Sequence, residues 1–165
     1  MSVDEVMLRL GVEAPFLAEM KYDGERCQLH LLPPHSPHVS PTGVSNAIAD
    51  EKTHAYSRVR LYSRSLDDMT IRFPDVTSLL PAQMHGASSC VLDAEVCAYG
   101  PTARQVLPFQ TLAVRSRKAP TAEQTAAVPV CLFVFDLLQL DGRSLLDTPL
   151  AERRALLAEH LRTLP

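Results

Sequence analysis

The stretch Glu19-Met20-Lys21-Tyr22-Asp23-Gly24-Glu25-Arg26-Cys27-Gln28-Leu29-His30-Leu31 changes character at Gly24. Ahead of it, the apolar run from Phe16 to Met20 predicts a strand entering a tight turn made by Lys21-Tyr22-Asp23-Gly24. Beyond it, Arg26 to Leu31 alternate polar and apolar residues with the period of two that marks a half-buried strand. Arg58-Val59-Arg60-Leu61-Tyr62-Ser63 repeats that alternation, so the two strands are expected to pair. Between them, Pro33 to Ser57 holds four of the thirteen prolines together with Ser, His and Thr, and reads as a flexible surface insertion at 33–57 without chemistry. His35 and His38 within it lack the nearby Cys or acidic residues of a metal site.

Working outward, residues 2–10 read as a short helix with Ser2 as cap and Glu5 completing a capping box, ended by Gly11. Pro74 to Leu80 reads as a second helix with Pro74 in its first turn. Ser89 to Ala98 is a strand that carries two acids, Asp93 and Glu95. Phe109 to Val114 is apolar and partly buried, and Ala119 to Ala127 reads as a Pro/Ala/Thr linker. The nearly continuous apolar run from Val128 to Leu140 signals a central strand, followed by a turn at Asp141-Gly142. From Pro149 the chain is helical, with Thr148 as the expected cap.

A chain of 165 residues, 46% hydrophobic and 21% charged, fits one globular domain. No apolar run reaches the roughly 18 residues of a membrane span. The acidic start MSVDEVMLRLGVEAPF is unlike a signal peptide or presequence, so no membrane partner is expected. Cys27, Cys90, Cys97 and Cys131 are scattered, which favours free thiols over zinc or disulfides. The net charge of -3 excludes a chain that is basic throughout. Arg115, Arg117 and Lys118 form the one local basic cluster, either a phosphate contact or a solvated loop. Only three lysines are present, Lys21, Lys52 and Lys118, so any chemistry that needs a lysine draws on these.

A lysine in a tight turn is by itself more often a solvated charge. Taken with the other segments, however, Lys21-Tyr22-Asp23-Gly24 resembles the K-x-D-G nucleophile motif of covalent nucleotidyltransferases, and specifically of ATP-dependent DNA ligases. Leu61-Tyr62-Ser63-Arg64-Ser65 resembles the motif that follows it, and Val91-Leu92-Asp93-Ala94-Glu95 the acid-bearing strand motif after that. Phe133-Val134-Phe135-Asp136-Leu137-Leu138, continuing through Asp141-Gly142 to Pro149-Leu150 and Arg153-Arg154, is similar to the next. Pro108-Phe109-Gln110 and Arg115-Ser116-Arg117-Lys118 resemble a stretch of the eukaryotic replicative, type I enzymes. The matches run in order and span most of the chain outside 33–57.

The resemblance implies an α+β fold, an ATP-grasp-like nucleotidyltransferase adenylation domain of mostly antiparallel sheets with flanking helices. It implies that Lys21 attacks the α-phosphate of ATP to form a lysyl–AMP and release pyrophosphate. The attacking amine must be neutral, so burial and cationic neighbours would have to oppose its protonation. Arg26 and Arg64 would hold phosphate and ribose with always-charged guanidinium forks. Glu95 would bind ribose hydroxyls or a divalent metal, Glu19 would read the adenine amino group, and Phe135 would stack on adenine. Asp93 could help Glu95 or serve as a structural hydrogen bonder, while Asp23 and Gly24 would shape the turn. Mg2+ is the implied metal, since phosphoryl oxygens take hard cations.

Two departures qualify the match. Ser65 stands where the family usually has Asn. The family pattern also continues with an acidic motif, a lysine-containing motif, an OB-fold domain and, in type I enzymes, an N-terminal DNA-binding domain. Residues 1–165 are thus expected to be a C-terminally incomplete adenylation domain, with nicked double-stranded DNA bound through the full-length protein. Nuclear or mitochondrial residence, and work in replication, repair and recombination, go with that expectation. A non-catalytic nucleotide-binding or interaction module is the alternative, as is another lysyl–nucleotide enzyme such as an RNA ligase or capping enzyme. The Phe135-to-Arg154 segment favours DNA ligase over those last two.

Overall fold

The computed structural model describes residues 2–11, 16–33, 58–115 and 119–162. Apart from Pro33, the insertion expected at 33–57 lies outside the described residues, as do Arg117 and Lys118.

Helix α1 (Val3–Leu10) has the expected capping box, with the Ser2 hydroxyl accepting from the Glu5 N–H and the Glu5 carboxylate accepting from the Ser2 N–H. The alternating segments form β1 (Glu25–Leu31) and β2 (Val59–Ser63), which pair antiparallel with Leu29 opposite Leu61. A 3-10 turn at Thr70–Arg72 leads into α2 (Pro74–Gln83). The two-acid strand is β3 (Cys90–Gly100), followed by the short β4 (Gln105–Val106) and α3 (Phe109–Ala113). Helix α4 (Ala122–Ala127), β5 (Val130–Leu140), β6 (Arg143–Ser144) and α5 (Leu150–His160) complete the order.

The sheet runs β2-β1-β3-β5-β6, every pair antiparallel, with β4 against the far end of β3. One face is the core. Cys27, Leu29 and Leu31 of β1, Val59 and Leu61 of β2, and Cys90, Leu92, Ala94, Val96 and Ala98 of β3 are buried there. Phe73, Val76, Leu80 and Met84 from around α2, together with Leu112, Leu145 and Leu157, cover that face. The opposite face carries Arg26, Gln28 and His30 of β1 and Asp93 and Glu95 of β3, because alternate residues of a strand point to opposite sides.

Four expectations need correction. Phe16–Met20 is not a strand: it pairs with no other segment among the described residues and its side chains are exposed. The expected linker contains α4, opened by a capping box between Thr121 and Gln124. The central strand is β3, since β5 pairs with β3 along its length but with β6 only at Gln139 and Leu140. Pro149, not Thr148, occupies the cap position of α5, and no side chain caps that helix. No helix among the described residues is long and apolar enough to cross a membrane.

Arg115 is a correction of another kind. It belongs neither to a solvated loop nor to a phosphate-binding surface, because its side chain is fully buried. The guanidinium forms a two-pronged bond to Asp75 of α2 at 2.7 and 3.0 Å and donates to the carbonyls of Arg72 and Val128. It also lies 5.1 Å from the centre of the Phe73 ring.

Candidate nucleotide site

Consecutive residues of the Lys21 turn are fastened to three different elements. Tyr22 stacks face to face on Phe133 of β5, with ring centres 3.6 Å apart. The Asp23 carboxylate accepts from the Phe109 N–H at 3.0 Å, satisfying an amide at the start of α3 that the helix leaves free. Gly24 lies so close to β3 that a Cβ would sit 2.6 Å from Cys97 Sγ and 2.9 Å from Glu95 Cγ, and would collide with the Val96 carbonyl. The expected turn-shaping role of Asp23 and Gly24 is therefore visible in their contacts. Lys21 is exposed and makes no hydrogen bond among the described residues. Its charge is close enough to Glu95 to favour the carboxylate.

Arg26 lies directly across from Glu95 in the β1–β3 ladder. Its guanidinium grips Asp93 with two bonds, Nε to Oδ1 at 3.0 Å and Nη2 to Oδ2 at 2.6 Å. The Arg26 side chain is 52% exposed and that of Asp93 only 9%, so the acid is buried while the base still faces outward. The guanidinium also lies 5.6 Å from the centre of the Phe135 ring. Burial pushes the Glu95 carboxyl above its ordinary range, opposed by a backbone hydrogen bond from Gly24 and by the charges of Arg26 and Lys21.

Arg26, Arg64 and Glu95 line one open cleft of about 870 Å3, together with Gly24, Ser63, Ser65 and Phe109. Arg64 is exposed and forms no hydrogen bond among the described residues. Its neighbours hold it out: Ser65 donates to Asp67 at 2.6 Å, and Ser63 Oγ accepts from the N–H groups of Ser65 and Asp67. Ser65, at the position of the usual Asn, thus ties the turn through Asp67.

Phe135 is half-buried rather than a core residue. Glu19 does not line that cleft; it pairs with Arg154 of α5 at 2.9 Å, and the same nitrogen of Arg154 donates to the Phe135 carbonyl at 2.8 Å. The neighbouring Arg153 holds Asp136 with two bonds of 2.8 Å. Arg153 and Arg154 have no role that the sequence alone makes legible, because no periodicity shows that a distant helix closes on Glu19.

Magnesium can be tested against this donor set. Both oxygens of Asp93 are engaged by Arg26, and among the described residues no group of three His, Cys, Asp or Glu side chains could hold an ion alone. Glu95 remains as a carboxylate on the cleft, which Glu25, Asp67 and Asp68 also line, and that fits an ion held by one or two carboxylates plus substrate phosphates.

Residues 52–165 match the family model described as ATP dependent DNA ligase domain. DNA ligase 1 of Dictyostelium discoideum is 37% identical over 93% of this chain and 11% of its own length. DNA ligase 2 of Korarchaeum cryptofilum is 35% identical over 98% of this chain and 23% of its own length. The chain therefore spans less than a quarter of these relatives. Among solved structures, mycobacterial DNA ligase D complexed with ATP and MES superposes with a TM-score of 0.54 at 28% identity, over 86% of this chain and 35% of that one. The curled antiparallel sheet with flanking helices is thus the fold of ATP-dependent ligase domains. By motif order, fold and similarity, the chain belongs to the ATP-dependent DNA ligases, to whose adenylation domain it corresponds.

Proposed function

We propose that Lys21 is the nucleophile of an ATP-dependent self-adenylation, the first step of nick sealing by the protein of which this adenylation domain is part. The observation that carries it is the fastening of Tyr22, Asp23 and Gly24 to β5, α3 and β3, which leaves the Lys21 amine without a hydrogen bond among the described residues. Holding the backbone that follows a nucleophile removes part of the orientational freedom that a reaction must otherwise overcome.

In this reaction the Lys21 amine forms a bond to the α-phosphorus as the bond to the β-phosphate bridging oxygen breaks, and pyrophosphate leaves. Arg26 and Arg64, which both line the cleft, offer positive charge to the phosphates and ribose. Glu95 takes ribose hydroxyls or Mg2+, which when bound would neutralise charge on the departing pyrophosphate. Phe135 offers a half-exposed ring to the adenine, and Glu19 a carboxylate to its amino group.

In the same proposal, residues 1–165 are part of an adenylation domain interrupted at 33–57, and AMP passes from Lys21 to the 5′-phosphate of nicked duplex DNA. DNA-binding and OB-fold domains in cis would supply most DNA contacts, consistent with a net charge of -3 here. Service in replication, repair and recombination, in the nucleus or mitochondrion, is proposed with it. Likeness to the type I stretch supports a eukaryotic replicative type, although within that stretch Arg115 is committed to the core.

Incubation with ATP carrying label at the α-phosphate tests the first step. The label is expected to become covalently attached and to be released by added pyrophosphate. Label from the γ-phosphate appearing on the protein would contradict it.

A further inference from the structure

We infer that Arg154 positions the adenine-reading residues Glu19 and Phe135, and so sets the preference for adenine over guanine nucleotides. The inference rests on the nucleotide-binding role proposed above.

One nitrogen, Arg154 Nη1, donates both to Glu19 Oε1 at 2.9 Å and to the Phe135 carbonyl at 2.8 Å. It thereby joins the edge-reading carboxylate to the backbone of the stacking ring. Glu19 needs such a tether, because residues 16–20 have no regular secondary structure and their side chains are exposed. The other end of the tether is firm. Helix α5 is seated by Leu157 in the core and by the two-pronged Arg153–Asp136 pair beside it. Arg154 thus carries the rigidity of a packed helix to an irregular segment that lacks it.

The chemistry of the tether bears on the base. A carboxylate accepts hydrogen bonds and cannot donate. Adenine presents an amino donor where guanine presents a carbonyl acceptor, so a fixed carboxylate rewards the first and opposes the second. Arg154 occupies Oε1 of Glu19 and leaves Oε2 for the base. A carboxylate free to swing away would lose both the attraction and the opposition. Arg154 is accordingly a positioning residue, acting through Glu19 and Phe135.

The test is calorimetric titration of the full chain with ATP and, separately, GTP in the presence of Mg2+, for wild type, Arg154→Ala, Arg154→Lys and Glu19→Gln, with thermal unfolding of each. Wild type is expected to favour ATP. Arg154→Ala should weaken ATP binding about tenfold, the scale of one charge-assisted hydrogen bond, and leave GTP within about twofold. Arg154→Lys, whose single ammonium keeps the charge, should recover part of the preference, and Glu19→Gln should lose it as Arg154→Ala does. Equal weakening of both nucleotides would mark a merely structural role and overturn the inference, as would an unchanged ATP-to-GTP ratio in Arg154→Ala. A wild type that binds neither nucleotide would overturn the nucleotide-site reading itself, and the inference with it.

Discussion

Gly24 brings the Lys21 turn against β3 because it has no side chain to hold it away. In Gly24→Ala the added methyl meets the Val96 carbonyl, Cys97 Sγ and Glu95 Cγ, of which only the last two can yield. The expected cost is about 1–3 kcal/mol, read from the urea midpoint at unchanged slope, with loss of self-adenylation. Glu95 is a different case. Its carboxyl titrates above the ordinary range in the folded state, so the native protein holds that proton more tightly than the unfolded chain does. Its contribution therefore disfavours the native state as pH rises through and beyond that range. Glu95→Gln removes the contribution and is expected to unfold at a higher temperature than wild type at pH 7, while losing self-adenylation. A lower unfolding temperature would contradict this origin of the shift. At this scale the motifs showed which side chains to watch, but not their partners. Asp93 reads as equally suited to helping Glu95 or to bonding within the structure, and only the side-chain bonds that run diagonally across β1 and β3 show that it belongs to Arg26.

At the scale of elements, the pairing of β1 with β2 is legible because alternation with period two is direct evidence of a one-faced strand. Helix α4 is masked by a composition of Pro, Ala and Thr, although Thr121 and Gln124 have the spacing of a capping box. Phe16–Met20 misled in the other direction, since apolar residues make a strand only where a partner offers hydrogen bonds. Arg115 shows that charge in a sequence is no sign of exposure, since this guanidinium joins α2, the 3-10 turn ahead of it and the segment before β5. Arg115→Met should cost about 3–5 kcal/mol by leaving Asp75 without its partner. Adding Asp75→Leu should return most of that loss in urea unfolding. If the double variant is no more stable than the single one, the pair is not the source of the cost.

For the whole molecule, the sheet divides labour between its faces. One is a closed apolar core under α2, and the other carries the charged and aromatic residues of the site. Binding to that second face should stabilise the chain without altering the first. At ATP and Mg2+ concentrations a hundredfold above the dissociation constant, linkage gives about 2.7 kcal/mol, or an unfolding temperature higher by roughly 5–10 °C. The central claim is tested most directly by the intact mass of the chain after incubation with ATP and Mg2+, beside Lys21→Ala. The expected result is a gain of one AMP on the wild type and none on the variant. A wild type that gains nothing, or a variant that still gains AMP, would contradict Lys21 as the nucleophile.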